Sequence, residues 1–295
     1  MKQGILAGIG AYLMWGLFPI YWKLLLDVPA LEILAHRMVW SLAVMLLLLV
    51  IGRDRAWLKN ALRDRRIMIT YTLAAALLAV NWGTYIWAVN AGFVVESSLG
   101  YFINPLVSML FGVIFLKERL RRGQLVAVCL AAAGVLYLTI SHGSLPWIAL
   151  VLAMTFGLYG LIKKTAPLES ANGFTLETLA LFIPALGFLL IQEARGVGAF
   201  GHQGALTNTL LAFAGPVTAI PLLLFGVAAR RIPLSMVGFL QYIAPTGQFL
   251  LGVLAYHEPF PPERLVGFAI IWAALALYSL EGVLFNRRRA ASLPA

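Results

Sequence analysis

Charge is scarce in this 295-residue chain: Asp, Glu, Lys and Arg together make up 12% of it, about half the share found in an ordinary soluble domain. A water-soluble globule needs polar surface to cover its core, and a chain that is 61% hydrophobic does not supply it. Cysteine is scarcer still. Cys129 stands alone in an apolar run, which excludes an intrachain disulfide framework or a thiolate metal site. Acidic residues number 12, and none falls at the middle of an apolar run, so there is no obvious central carboxylate to carry a proton. HExxH, CxxC, P-loop and nucleophile-elbow patterns are all missing, and the polar connections are too short to fold into domains, which weighs against a membrane enzyme or signalling subunit. No cofactor and no metal is expected.

What the chain has in abundance is apolar length. A helix rises about 1.5 Å per residue through a hydrocarbon core about 30 Å thick, so a span needs roughly 20 apolar residues. Ten such runs are present: Gly4–Leu25, Glu32–Ile51, Ile67–Val89, Glu96–Leu116, Gly123–Ile140, Pro146–Ile162, Phe174–Gln192, Thr207–Gly226, Ser235–Tyr256 and Glu263–Leu284. They are continuously apolar, whereas barrel strands alternate over about ten residues, so the spans are helical. The first run is too long for a signal peptide and lacks a small-residue cleavage site, so it reads as a retained span.

A net charge of +10 would suggest nucleic acid in a soluble protein, but its placement points to a membrane instead. Eighteen of the 22 basic residues fall in alternate connections, among them Arg53 to Arg66, Lys117 to Arg122, Lys163 with Lys164, Arg230 with Arg231, and Arg287 to Arg289. Positive loops stay in the cytoplasm, which puts both termini there. Lys23 and Arg37 are the two basic residues that fall inside spans.

The sequence also repeats. An offset of 140 brings Pro105, Gly112 and Glu118 onto Pro245, Gly252 and Glu258, and an offset of 141 brings Trp15, Gly16, Lys23 and His36 onto Phe156, Gly157, Lys164 and Glu177. Near-constant offsets across several spans indicate a duplicated unit. Five spans is an odd number, so the second copy enters the membrane from the opposite side. The expected fold is therefore an all-α integral membrane protein of ten transmembrane helices, built as two inverted five-helix repeats over residues 1–142 and 143–295. Inverted repeats are a device of secondary transporters, in which two related halves exchange conformations around a central site. A channel is the alternative membrane reading.

The stretch NWGTYIWAVNAGFVVESSLGYFINPL at residues 81–106, FLKERL at 115–120, TAIPLLLFGVAARRIPLSMVGFLQYIAPT at 218–246 and the opening WGLFPIYWKLL resemble the RarD-like group of the EamA branch of the drug/metabolite transporter superfamily. The resemblance covers essentially the whole chain. It implies ten spans in a bacterial inner membrane, export of small metabolites or drugs, and a link in naming to chloramphenicol sensitivity. The expected partners are a small-molecule solute and the lipid bilayer, with no nucleic acid; the oligomeric state stays open, a monomer included.

Polar groups at bilayer depth are costly and must face a partner or a wet cavity. Asn81 and Trp82 fall near the middle of the third run, Asn104 in the fourth, Thr218 in the eighth, and Gln241 with Tyr242 in the ninth. They are candidates for a solute site, together with Trp15 and with Tyr85, which shares a helix face with Asn81. The amides and Thr218 can equally bond helix to helix. Tyr12, Trp15, Pro19 and Trp22 mark one face of the first run, as a site wall or as packing. Lys23, Glu32, His36 and Arg37 gather near the periplasmic ends of their helices, where His36 and Arg37 join the candidate site. Lys23 either binds an anion or snorkels to the interface. His36 and its repeat-mate Glu177 either couple protons or gate, or each forms an ion pair within its own half. Pro105 and Pro245 predict kinked hinges, and Glu118 and Glu258, next to Arg119 and near Arg264, predict surface ion pairs.

Overall fold

The computed structural model describes residues 1–52, 56–90, 94–142, 147–256 and 262–291. Among these residues the regular structure is entirely helical. The order is α1 (Lys2–Trp22), continued by a 3-10 turn at Lys23–Leu25, then α2 (Ala30–Ile51), a short α3 (Ala56–Arg63), α4 (Arg65–Asn90), α5 (Val94–Leu116) and α6 (Arg122–His142). The second half runs through α7 (Trp147–Thr165), α8 (Ser170–Ala194), α9 (Ala205–Arg231), α10 (Leu234–Gln241), α11 (Ile243–Leu250), a π-helical turn at Leu251–Ala255, and α12 (Pro262–Ala291). Arg53, Arg55, Glu258 and the junction 143–146 between the two expected halves lie outside the described residues, as does the side chain of Arg264.

Each of the ten apolar runs contains a helix, yet only eight helices among the described residues are long and apolar enough to cross a membrane. The fourth run qualifies only over Gly100–Leu116, as a shorter apolar helix. The ninth is divided. Pro245 has no N–H to donate and its ring crowds the carbonyl four residues earlier, which is Gln241, the residue at which α10 stops. Pro105 differs in outcome, because α5 runs through it without interruption. The amphipathic α3 was not among the expected elements. It lays Trp57, Leu58 and Ala61 against Tyr71, Ala166 and Leu176 and leaves Lys59 and Arg63 exposed.

Lipid gives no hydrophobic drive for helices to associate, so small residues that allow close approach decide the contacts. α1 meets α9 through Gly4, Gly8 and Ala11, with Ala228 and the Arg231–Ile232 turn opposite. α6 meets α12 through Ala127, Ala131 and Gly134 against Ile271 and Ala274. Leucines that would lie on packed faces of a soluble protein face outward instead, among them Leu13, Leu17, Leu47, Leu73 and Leu136. α5 packs along α7 and α10; α2 along α8 and α9; α4 along α7 and α8; α1 along α9 and α11.

One end of the bundle is tied by polar contacts. Arg231 donates to the side chain of Gln3, Lys164 to the carbonyls of Ala229 and Ile232 at 3.1 and 2.6 Å, and Arg121 pairs with Glu281 at 2.6 Å. Glu118 belongs to the same end, but it is not the surface ion pair its neighbours suggest. Its carboxylate accepts from the backbone N–H groups of Leu234 and Ser235 at 2.6 and 2.9 Å and from Ser235 Oγ at 2.7 Å. Those N–H groups open α10 and have no carbonyl partner within the helix, so an anion there satisfies both the donors and the helix dipole.

At the crossing of α5 and α10, a methyl group added to Gly238 would sit 2.6 Å from the Pro105 carbonyl oxygen and 2.9 Å from Met109 Cγ. Gly238→Ala should therefore lower stability by roughly 1–3 kcal/mol through overpacking, read as thermal unfolding in detergent. Gly187→Ala, with nothing within 4 Å of the added carbon, should leave stability unchanged or raise it by up to about 1 kcal/mol.

Candidate functional site

Between these helices, in the half of the bundle away from the start of α1, lies a cavity of about 120 Å³. Its wall is aromatic and amide-rich: Trp15, Trp22, Trp82, Tyr85, Tyr101 and Phe156 surround it, with Asn81, Asn104, Gln241 and Gln248 and the guanidinium of Arg37. Seven helices contribute, and those that supply several residues do so from one face at three- and four-residue spacing. Tyr12, Trp15, Phe18 and Trp22 come from α1, and Asn81, Trp82 and Tyr85 from α4; Gly100, Tyr101 and Asn104 come from α5. The stripe on α1 is thus a cavity wall, while Pro19 on that helix is not part of it.

Arg37 is held in place by its surroundings. Its Nε donates to Thr218 Oγ1 at 2.9 Å, and its guanidinium carbon lies 4.3 Å from the ring centre of Trp82 and 5.0 Å from that of Trp22. The ring faces supply electron density to the cation. Thr218 reaches the site through this bond rather than by lining the cavity.

The amides divide by what they hold. Asn81 Nδ2 donates to the Leu152 carbonyl at 2.8 Å and to Thr155 Oγ1 at 2.9 Å, which ties α4 to α7. Gln241 Oε1 accepts from Ser108 Oγ at 3.3 Å, tying α10 to α5. Gln248 Nε2 donates to the Trp15 carbonyl at 3.1 Å. Asn104 is different: its Oδ1 is buried with no donor. Tyr242 does not line the cavity; its hydroxyl donates to the Phe102 carbonyl at 3.3 Å behind the wall. Pro245 lines the cavity where the ninth run breaks, and Pro105 does not.

Beneath the cavity, toward the end with the basic loops, the core is filled. Trp15 and Phe156 meet at 5.8 Å, Phe156 and Phe225 at 5.3 Å, and Phe225 stacks on Tyr159 at 5.8 Å. Below them Lys163 Nζ donates to Glu177 Oε1 at 2.8 Å, and Tyr159 donates to Glu177 Oε2 at 2.9 Å. Both charged side chains are almost fully buried, 2% and 1% exposed. Glu177 therefore lies outside the cavity, with a lysine partner in its own half of the chain.

The other candidates sit at the opposite end. His36 tilts against Phe200 with ring centres 5.1 Å apart, and its Nε2 is 3.9 Å from Glu32 Oε1. Glu32 accepts from the Ala199 N–H at 2.6 Å, holding the α8–α9 loop over α2. Lys23 places its ammonium 3.1 Å from the ring centre of Tyr256, and Tyr21 donates to the Leu210 carbonyl. Neither His36 nor Lys23 lines the cavity. Among the described residues no three His, Cys, Asp or Glu side chains converge as a metal site.

Residues 2–140 match the EamA-like transporter family. The chain is 52% identical over 294 residues to Protein RarD of Streptomyces exfoliatus, covering 100% of this chain and 93% of that protein. It is 49% identical over 289 residues to the uncharacterized transporter YojE of Bacillus subtilis, covering 97% and 96% of the two. It is 33% identical over 294 residues to the chloramphenicol-sensitive protein RarD of Pseudomonas aeruginosa, covering 98% and 97%. A crystal structure of another protein superposes with a TM-score of 0.71 at 18% identity over 98% of this chain and 99% of that one, a likeness of fold alone.

The buried pair gives a test of structure separate from the cavity. Glu177→Leu should cost about 3–5 kcal/mol by stranding the Lys163 ammonium, and the double change Lys163→Met with Glu177→Leu should recover most of that. Thermal unfolding of the purified protein reads both, and a double variant no more stable than Glu177→Leu would refute the pairing.

Proposed function

The chain belongs to the EamA-like transporter family, and we propose that it is a ten-span secondary transporter that carries a small metabolite or drug across a bacterial inner membrane by alternating access. Two inverted five-helix repeats, residues 1–142 and 143–295, form the halves that rock about the cavity. The observation that carries this reading is a cavity of about 120 Å³ enclosed by helices of both halves and floored by packed aromatics toward the end with the basic loops. A passage open at both ends would favour a channel; a site blocked on one side suits a carrier.

The neighbour pattern supports the repeat. Replacing α1, α2, α4, α5 and α6 by α7, α8, α9, α10–α11 and α12 turns α5–α7 into α11–α1, α1–α9 into α7–α4, and α2–α9 into α8–α4, and all of these pairs are in contact. The contacts α2–α8, α5–α10 and α6–α12 map onto themselves, as contacts on a two-fold axis do. The gathering of the basic connections at one end supports cytoplasmic termini. In this reading the Lys163–Glu177 pair closes the cytoplasmic side, and the Glu32, His36 and Lys23 contacts belong to the periplasmic side. Pro105 and Pro245 are the pivots.

Counterflow in proteoliposomes tests the transport reading: preloaded solute from a panel of organic acids, amino acids and amphenicols should accelerate uptake of its labelled form and saturate. Flux that neither saturates nor shows counterflow would sink it in favour of a channel. Within the site, Asn104→Leu should raise the half-saturating concentration with stability near that of the parent, because that carbonyl bonds no protein group. Asn81→Leu should instead cost roughly 1–3 kcal/mol of stability by leaving its partners unbonded.

A further inference from the structure

Arg37 is the one charged side chain lining the cavity among the described residues; no carboxylate lines it. The contrast with Lys163 is informative. That ammonium, 2% exposed, is neutralised by Glu177 at 2.8 Å. For Arg37 the protein supplies a hydroxyl at 2.9 Å and two tryptophan faces. Such ring contacts offset only part of what removing an ion from water costs. Nε is the nitrogen bonded to Thr218, so the four N–H groups on the two terminal nitrogens have no protein acceptor among the described residues. A fixed, forked donor set on a cavity wall is the complement of a planar anion.

Resting on the transport reading above, we propose that the solute class is the small organic monocarboxylate with a flat apolar body. The carboxylate takes the terminal nitrogens of Arg37, the body lies against Trp15, Tyr85, Tyr101 and Phe156, and a donor group on it meets the unbonded Oδ1 of Asn104. A cationic solute would face an uncompensated guanidinium. A phosphate monoester carries about −1.5 to −2 charges at neutral pH, which one arginine leaves under-neutralised, whereas one carboxylate and one guanidinium cancel. The ring faces of the wall offer broad apolar contact, and the amide oxygen, on a residue 6% exposed, is a buried acceptor of the kind native proteins satisfy.

Benzoate, benzamide and benzamidine share one ring and nearly one shape while carrying negative, neutral and positive head groups. Each is titrated at neutral pH onto the purified full-length protein in detergent, with thermal stabilisation and tryptophan fluorescence as readouts. Benzoate should stabilise the protein with a half-saturating concentration about tenfold or more below that of benzamide, the factor a charge-assisted hydrogen bond supplies, and benzamidine should give no shift. Arg37→Gln should abolish the difference between benzoate and benzamide. Arg37→Lys, which keeps the charge and loses the fork, should weaken benzoate while keeping the order of the three. Should Arg37→Gln fail to fold, the parent series and Arg37→Lys decide. Equal or better stabilisation by benzamide or benzamidine, or no stabilisation by any of the three, overturns the assignment. Flux is read separately: counterflow with no preference for anions leaves transport standing and removes the carboxylate class, and charge-selective binding without flux does the reverse.

Discussion

A guanidinium inside a membrane protein has to be solvated by something, and in a bilayer that something is not lipid. Arg37 sets the terms for the cavity around it. Thr218 on α9 fixes its direction, Trp82 on α4 and Trp22 on α1 cover its faces, and the helices that supply these groups meet at Arg37 from both halves of the chain. Move any of them and the cation loses part of its solvation. The cavity is accordingly a place where helix packing and ion solvation are the same problem.

Below it the opposite solution applies. Lys163, Glu177 and Tyr159 satisfy one another in a space closed by Phe225. In this cluster the ammonium, the carboxylate and the phenol each have a partner, so none of the three is left as an uncompensated buried group. The far end uses weaker devices: a carboxylate on a loop N–H, a histidine against a phenylalanine, an ammonium over a tyrosine ring. The two ends of the site are built from chemistry of different strength.

Much of the fold was legible in the sequence because membrane spans are long and the signal is redundant. Every apolar run contains a helix, and the break in the ninth run follows from Pro245 acting on Gln241. The cavity wall was partly legible: Trp15, Arg37, Asn81, Trp82, Tyr85, Asn104 and Gln241 come together as their helix faces imply. Tyr101 and Gln248 were missed although they stand three residues from Asn104 and from Pro245, one turn along the same face. Lys163 was counted as a loop charge because it ends a span, and only the packing of α7 on its neighbours turns it inward to Glu177. Glu118 was misjudged for a related reason. Its charged neighbours in sequence are visible, while the helix start it caps, 116 residues further on, is not. Side-chain partners distant in sequence are what a one-dimensional reading cannot weigh.

The small-residue contact between α1 and α9 has a consequence for how such a chain tolerates change. In a soluble protein the large buried side chains are the sensitive ones and the small exposed ones are free. Here large residues such as Leu13 and Leu17 on α1 face outward, where one hydrocarbon side chain serves lipid as well as another. Gly4 and Gly8 on the same helix have Arg231, Ile232 and Leu240 within 3 Å of where a methyl group would go. Mutational tolerance along α1 therefore runs inversely to the soluble pattern, with the least conspicuous residues the least replaceable.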